Sequence, residues 1–467
     1  MKQFAKKSLV LFIALFFTAA LSAKTPKYIF YCIGDGMSFA HVMATQLFYE
    51  NGNYEDGNES LVFLDFPVRS AIRTYANNSL ITCSAAGTAL ATGHKTNLAH
   101  IGIGPDKQPL TSVAKQLRDK GYAIGIITSG QLDDATPAAF YAGQMRNDTY
   151  QIGKEGADSQ FDFLAGSTLM KPFNRRDPSQ PYIYDYYRQK GYTVCRGPEG
   201  YNSKKNADKI LLVDTDTTLK KWLPYVIERE PGKLGLEFMV QAGIEKLYKK
   251  KNKKGFFMMI EGASIDHASH PRDIATAIKE TIEFDRSVRL AYEFYKKHPD
   301  ETLIIVTADH ETGGLTIGET TTHPFNWEYV NYQKMSKESL SKLFQKMRET
   351  GEIDTWEKTK KILAENTGLW DKIPVNAGEE AQLMQCYYET IVKKSSKQEI
   401  TLYAKSEPLV ADAIALLNKK IGVGWTSFSH TGGFVPFYAI GCQARQFGAL
   451  NDNIEIPNTI RKIMKIK

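Results

Sequence analysis

Eight residues that could bind metal ions follow apolar runs or fall in short polar motifs of the sequence. They are Asp35, Asp134, Glu261, Asp266, His270, Asp309, His310 and His430. Imidazole and carboxylate ligands without a thiolate suit Zn²⁺, whereas oxygen-only ligands suit Mg²⁺. Because eight ligands exceed what one ion needs, the sequence predicts more than one metal ion. Two zinc ions about 4 Å apart could stabilise both the attacking and the leaving oxygen of an in-line displacement.

Two spacings within this set have a structural meaning. Asp266 and His270 are four residues apart, which on a helix puts a carboxylate and an imidazole on one face. Asp309 and His310 directly follow an apolar run, where a tight turn could aim both side chains at one centre. An isolated Asp-His pair after a strand is more often a cap or a surface turn, so the prediction depends on the whole set.

Four apolar runs would position these residues. Residues 28–33, 123–127, 256–260 and 303–306 are each followed by polar or acidic residues, a pattern typical of strands buried on both faces of a parallel sheet. Helical patterns lie between them, at 110–120 and 273–297. Alternating strands and helices predict an α/β fold, a three-layer α/β/α sandwich around a mostly parallel sheet whose carboxyl edge gathers the polar residues.

The segment 320–423 interrupts this alternation. It is rich in Lys and Glu and has helical periodicity at 334–348, 355–366 and 379–394. We therefore expect an inserted helical subdomain at 320–423 within one catalytic domain spanning 24–467.

The first 23 residues are typical of a secretory signal peptide, with a basic start, an apolar run and small residues at the expected cleavage point. Export to a periplasm or the medium is expected, without a membrane anchor after cleavage. The formal charge of +7 is too small to indicate nucleic-acid binding. Five cysteines are an odd number, so at least one thiol is unpaired within the chain.

Six segments together resemble the alkaline phosphatases in order and approximate spacing. They are Ile33-Gly34-Asp35-Gly36-Met37, the run from Ser84 to Gly93, Asp134-Ala135-Thr136-Pro137, Glu261 to Asp266 with His270, Thr307-Ala308-Asp309-His310, and His430-Thr431-Gly432. The resemblance extends over about 28–441. It implies an exported enzyme that hydrolyses phosphate monoesters through a covalent phosphoseryl intermediate and releases inorganic phosphate, and it allows a homodimer.

The resemblance also implies a role for each ligand, with two Zn²⁺ and one Mg²⁺ as cofactors. Asp266, His270 and His430 would hold one zinc ion. The second would be held by Asp309, His310 and Asp35. The magnesium ion would be bound by Asp35, Thr136 and Glu261, with Asp134 acting through a water molecule.

The nucleophile segment departs from the family pattern. Members carry Thr-Asp-Ser-Ala-Ala and one further small residue before Gly-Thr-Ala or its equivalent. This chain has Thr82-Cys83-Ser84-Ala85-Ala86-Gly87 and is therefore one residue short. Alignment from the left makes Ser84 the nucleophile, and alignment from the right makes it Cys83. We favour Ser84, because a hard alkoxide suits zinc-assisted phosphoryl transfer whereas a thiolate would bind zinc tightly.

Arg146 is the candidate that would clamp the phosphate oxygens. The segment from Asp134 to Arg146 is also shorter than in the family, and we expect weaker phosphate affinity than in a typical member. If Arg146 lay outside the site, a phosphodiesterase would be favoured. A third hypothesis is a relative without turnover that binds zinc and phosphate.

Overall fold

In this computed structural model, residues 24–54, 56–78, 80–218, 221–250, 253–318, 325–394 and 398–466 are described. In that part of the chain a central sheet has nine strands, β1 to β9 in chain order. They span Tyr28–Gly34, Val68–Ile72, Ala123–Thr128, Phe163–Ala165, Tyr192–Arg196, Lys209–Val213, Phe256–Gly262, Thr302–Ala308 and Val435–Gly441. The strand order is β2-β9-β8-β1-β7-β3-β4-β6-β5.

The middle of the sheet is parallel and in register. Strand β1 pairs in parallel with β7 and with β8, so that Gly34 lies level with Gly262 and Ala308. Strand β3 pairs in parallel with β7, with Thr128 beside Glu261. Strand β9 is antiparallel to its neighbours β8 and β2. The carboxyl ends of four central strands therefore meet at one edge of the sheet.

Fifteen α-helices, α1 to α15, are found in the described residues. They span Phe39–Asn51, Cys83–Thr92, Val113–Asp119, Ala135–Ala138, Thr149–Asp158, Ile183–Gln189, Gly197–Lys204, Leu236–Tyr248, Ser264–Ser269, Ile274–Lys297, Lys337–Thr350, Trp356–Thr367, Ala377–Tyr387, Pro408–Ile421 and Glu455–Ile463.

Helices cover both faces of the sheet, as neighbouring residues of β1 demonstrate. The Phe30 ring contacts Phe294 of α10, with centroids 5.5 Å apart, whereas the Tyr31 hydroxyl donates to the Leu90 carbonyl of α2 at 3.3 Å. Successive side chains of a strand point to opposite faces. The predicted three-layer α/β/α fold is confirmed.

The predicted strands and helices are confirmed with shifts of a few residues at their ends. Helix α10 begins just after Asp273, whose side chain accepts from the Thr276 N–H and caps the helix. The third helix predicted in the segment 320–423 ends as an α-helix at Tyr387 and continues as one π-helical turn over Tyr388–Val392. The spacing of apolar residues in the sequence predicted these strands and helices because each of them buries an apolar face.

Helices α11 to α14 occupy the segment 320–423 and pack around α14. Leu340, Leu363 and Leu417 from these helices belong to the same hydrophobic core as the central strands. The division into a catalytic domain and an inserted subdomain stays an interpretation. The predicted leader lies outside the described residues. No helix in the described part of the chain combines the length and the apolar character needed to cross a lipid bilayer.

Candidate active site

The carboxyl edge of the sheet carries four of the eight candidate ligands. Asp35 directly follows β1, Asp309 and His310 follow β8, and Glu261 is the last residue but one of β7. Because these strands are held in register by their hydrogen bonds, the four side chains start from nearly the same level. We call Asp35, Glu261, Asp309 and His310 the strand-end group.

A first set of ligand atoms combines Asp266, His270 and His430, all within 4.8 Å of one another. Asp266 lies on α9 and His270 follows it by one helical turn, with its Nε2 atom 3.4 Å from Asp266 Oδ2. The Nδ1 atoms of His270 and His430 lie 2.6 and 3.2 Å from the carbonyl oxygens of Phe428 and Ile81. Such outer contacts fix the rings so that both Nε2 atoms face the centre.

A second set combines Asp35, Asp309 and His310 with Cys83, again within 4.8 Å. The His310 Nε2 atom lies 3.1 Å from Asp309 Oδ2 and 3.5 Å from Asp35 Oδ1. Gly36 closes the turn after β1 with φ of +73° and donates its N–H to Asp309 Oδ1 at 3.1 Å. A Cβ atom at Gly36 would lie 2.9 Å from the Asp266 Cα atom, so this turn requires glycine.

Several buried polar atoms of these sets and of the neighbouring Thr136 make no hydrogen bond within the described chain. They are Asp35 Oδ1, Thr136 Oγ1, Asp266 Oδ2, His270 Nε2 and Asp309 Oδ2. Burial, together with neighbouring Asp266, raises the pKa of Asp309 to about 7. Burial and neighbouring Asp309 likewise raise the pKa of Asp35. Buried carboxylates without partners are costly, so the donor set fits metal cations that would neutralise it.

The residues that the resemblance assigns to magnesium lie next to these sets. Asp134 is the N-cap of α4, and Thr136 lies in its first turn. Glu261 accepts a short hydrogen bond from the Thr128 hydroxyl. Helix α2 approaches α4 so closely that a Cβ atom at Gly87 would lie 2.9 Å from the Thr136 Cα atom. This close contact brings the start of α2 beside the oxygen-only donors.

The start of α2 separates the two candidate nucleophiles. The Cys83 sulfur lies 3.2 Å from His310 Nε2 and 3.9 Å from His430 Nε2, so it contacts both sets. The Ser84 hydroxyl is 2.8 Å from the Thr82 hydroxyl and accepts the Ala99 N–H at 3.0 Å. The Cys83 sulfur therefore faces the candidate ligands and the Ser84 hydroxyl does not. The role of Ser84 as the nucleophile stays a prediction. Cys83 is the first residue of α2, directly after the N-cap Thr82.

Arg146 lies in the site. Its Nη2 atom is 3.0 Å from Asp134 Oδ1. Asp134 first, and then the Cys83 thiol and the Tyr403 hydroxyl, raise the pKa of the Arg146 guanidinium. The guanidinium thus lies among Asp134, Cys83 and Tyr403. Its N–H groups other than the one that bonds Asp134 can donate to an anion.

Trp222 and Tyr403, which were not predicted from the sequence, form an aromatic cover over the site together with His267. The rings of Trp222 and His267 lie 4.0 Å apart between centroids, and Tyr403 meets His267 edge-on at 4.5 Å. Tyr403 also meets the ligand His270 edge-on at 5.0 Å. Neither Trp222 nor Tyr403 belongs to a motif, so only contact with His267 and His270 reveals them.

Tyr403 reaches the site from the tip of a short hairpin. Glu399–Ile400 pairs with Lys405–Ser406 in an antiparallel ladder. The buried Lys337 side chain bonds Glu399 at 2.6 Å and the Pro271 carbonyl at 2.8 Å. Since Pro271 follows the candidate ligand His270, this lysine connects the hairpin to the end of helix α9.

Comparisons with known proteins agree with this geometry. The family model described as alkaline phosphatase matches residues 26–163 and 206–466. Alkaline phosphatase 4 of Bacillus subtilis is 30% identical over 444 residues, covering 93% of this chain and 87% of its own length. The solved cold-active alkaline phosphatase of a psychrophilic Shewanella has a TM-score of 0.76 at 25% identity, covering 94% of this chain and 99% of the other.

The solved alkaline phosphatase of Thermus thermophilus shares the fold, with a TM-score of 0.76 at 22% identity, over 95% of this chain and 92% of that one. The family match covers most of the chain and both ligand sets. The chain therefore belongs to the alkaline phosphatase family of metal-dependent phosphoric monoester hydrolases.

Proposed function

We propose that this chain hydrolyses phosphate monoesters with two Zn²⁺ and one Mg²⁺, and that Cys83 rather than Ser84 is the nucleophile. The observation that carries the proposal is the contact of the Cys83 sulfur with His310 and His430, one from each ligand set. Asp266, His270 and His430 would hold one zinc ion, and Asp35, Asp309 and His310 the other. Asp35, Thr136, Glu261 and Asp134 would hold the magnesium ion.

Bound zinc would supply positive charge that favours the Cys83 thiolate and polarises the phosphate. The Cys83 sulfur would attack phosphorus, forming an S–P bond as the ester P–O bond breaks. The thiol proton passes to solvent, and the leaving oxygen takes a proton from water. Water then attacks phosphorus and the S–P bond breaks. Inorganic phosphate is released, and the thiolate takes up a proton from solvent to re-form the thiol.

Two further elements would bind the phosphoryl oxygens. Arg146 has a planar guanidinium that can donate two parallel hydrogen bonds to them. The first N–H groups of α2, which begins at Cys83, would also favour negative charge there. A monoester has more anionic oxygens than a diester, so the position of Arg146 beside Cys83 favours monoesters over diesters.

The first experiment is hydrolysis of nitrophenyl phosphate by the purified protein at pH 8 to 10, with chelator and with zinc and magnesium restored. The proposal expects hydrolysis that chelator abolishes and the two metals restore together. The matching methyl nitrophenyl diester is the control substrate and should react far more slowly. Undiminished hydrolysis in chelator would contradict the metal requirement.

A second function has one specific observation in its favour. A thiolate 3.2 Å from a ligand imidazole could itself complete a tetrahedral zinc site, and closed sites are structural rather than catalytic. The chain would then bind zinc and phosphate without turnover. In that case the metal-loaded protein is inactive and Cys83→Ser gains hydrolysis, whereas a Cys83 nucleophile predicts an active protein that Cys83→Ala inactivates.

We also propose that the protein is exported, as its first 23 residues indicate. A periplasmic or secreted enzyme would meet phosphate monoesters released outside the cytoplasm. Cell fractionation of the native host, with cleavage detected by N-terminal sequencing, tests this, and an uncleaved cytoplasmic protein would contradict it. A homodimer stays a prediction that light scattering of the purified protein checks.

A further inference from the structure

A buried threonine, Thr312, lies between the two ligand sets. It follows the candidate ligand His310 by two residues. The Thr312 hydroxyl donates a short hydrogen bond to Asp266 Oδ1 of the first set. The same hydroxyl oxygen lies 3.3 Å from His310 Nδ1 of the second set. One hydroxyl group thus contacts a candidate ligand of each set.

The Thr312 hydroxyl can bond both ligands because a hydroxyl has one proton to donate and lone pairs that accept. A carboxylate that binds a metal ion is ionised and only accepts, so the Thr312 proton points to Asp266. The hydroxyl oxygen is then free to accept the proton on His310 Nδ1. With its proton on Nδ1, His310 presents the lone pair of Nε2, the atom 3.1 Å from Asp309 Oδ2, to the second set. This chain of hydrogen bonds thus fixes the tautomer of His310 that a metal ion needs.

The backbone of Thr312 is held on two sides. Its N–H donates to the Gly36 carbonyl at 3.2 Å, in the turn after β1. Thr312 also lies opposite His430 in a two-residue antiparallel ladder. The other pair of that ladder is Glu311 and Thr431, and the Thr431 hydroxyl donates to the Glu311 carboxylate. Because the backbone is fixed in this way, the hydroxyl keeps its place between the two sets.

The contacts of Thr312 differ from those of other groups that orient candidate ligands. The Phe428 carbonyl lies 2.6 Å from Nδ1 of His270, in the first set. The Gly36 N–H donates to Asp309 at 3.1 Å, in the second set. Each of these groups orients one ligand of one set, whereas the Thr312 hydroxyl contacts both sets.

We infer that Thr312 is a positioning residue whose single hydroxyl orients Asp266 and His310 together, so that both zinc ions depend on it. The inference rests on the proposed function, which assigns one zinc ion to each set. Without the hydroxyl, Asp266 loses a donor to Oδ1 and His310 loses an acceptor at Nδ1. Both ligands then lose an outer contact that orients them toward their ions.

The test measures zinc affinity of the purified protein by competition with a chromophoric chelator, which needs no substrate. His310→Ala leaves only the first set intact, and His270→Ala leaves only the second. In each background, Thr312→Val removes the hydroxyl and keeps the branched shape of the side chain. It should weaken zinc binding in both by about 10-fold to 100-fold, as is typical when an outer contact of a ligand is lost.

Two further variants separate orientation of the ligands from a general effect on the fold. Thr312→Ser keeps the hydroxyl and should restore zinc binding in both backgrounds. Thr359→Val is the matched control, because Thr359 is as buried as Thr312 and its hydroxyl donates to the Thr355 carbonyl, at the start of α12, at 2.9 Å. It should lower the melting temperature and leave both zinc affinities unchanged.

An effect of Thr312→Val in only one background, or in neither, would overturn the inference. If Thr312→Val does not fold, Thr312→Ala removes the hydroxyl without adding a methyl group and is measured in its place. An unchanged protein that binds fewer than two zinc ions would contradict both the inference and the proposed metal content. If two ions bind with the expected pattern but no ester is hydrolysed, the proposed function fails and the role of Thr312 stands.

Discussion

The strand-end group and the aromatic cover reach the same site by different routes. The strand-end group comes from the ends of strands held in register, and its side chains are almost completely buried. The aromatic cover comes from a loop residue, a helix residue and a hairpin tip, joined by ring contacts. The strand-end group is a set of charges that needs a cation. The aromatic cover is a set of rings that shields the site from solvent and orients the side chains it contacts.

This difference corresponds to two functions of the site, which are holding the metal ligands and orienting the phosphate. Ligands must be held to within a fraction of an ångström, which the hydrogen-bonded strands and the buried helix α9 provide. Phosphate orientation and access can be provided by peripheral segments that pack against the ligands. We therefore expect damage to the strand-end group to abolish the reaction, and damage to the aromatic cover to change affinity.

The largest effect is expected for Asp309→Asn. One oxygen of Asp309 is buried without a hydrogen bond, so loss of the charge should remove a zinc ion and lower kcat/KM by about 10³-fold or more. Asp273→Asn is the matched control, because Asp273 is equally buried but bonded to Thr276, Gln333 and Lys337. It should cost about 1–3 kcal/mol of stability and leave zinc content intact, as metal analysis and thermal melting would reveal.

The next largest effect is expected from substitution of the nucleophile, and the two candidates, Cys83 and Ser84, should differ in it. Cys83→Ala is expected to lower kcat by about 10³-fold or more, with zinc still bound. Ser84→Ala breaks the contacts with Thr82 and Ala99 and should cost about 1–2 kcal/mol of stability while kcat stays within a few-fold. Measured kcat values in the reverse order would return the role to Ser84.

Arg146→Ala should have an intermediate effect that depends on the substrate. Removal of a bidentate, charged donor should lower kcat/KM for a nitrophenyl monoester by about 10²-fold. The rate on the methyl diester, with fewer anionic oxygens, should fall much less. Equal losses on the two substrates would mean that Arg146 does not bind the transferred phosphate.

The smallest effect is expected in the aromatic cover. Tyr403→Phe keeps the ring contacts but removes the hydroxyl near Arg146, and should raise the inhibition constant of inorganic phosphate by about threefold to tenfold. Tyr225→Phe, in the same small cluster with Trp222, serves as the matched control and should leave that constant unchanged. In an Arg146→Ala background, Tyr403→Phe should add nothing, because the hydroxyl acts through Arg146.

Much of the fold was predictable because burial on both faces produces continuous apolar strands that a reader can recognise. Strand β1 and strand β8 were located to within a residue or two by this pattern. The ligand residues were also predictable, since Asp35, Asp309 and His310 follow such strands directly. Short strands such as β4, with three residues, carry too little pattern to be recognised alone.

The sequence by itself determined the α/β fold, the candidate ligand residues and the unusual Thr82-Cys83-Ser84 segment. Only the tertiary structure decided that Cys83 faces the ligands and Ser84 does not, because one residue of offset at a helix start rotates a side chain by about 100°. It alone also brought Tyr403 to Arg146. That contact joins distant segments, and no local pattern of residue types encodes it.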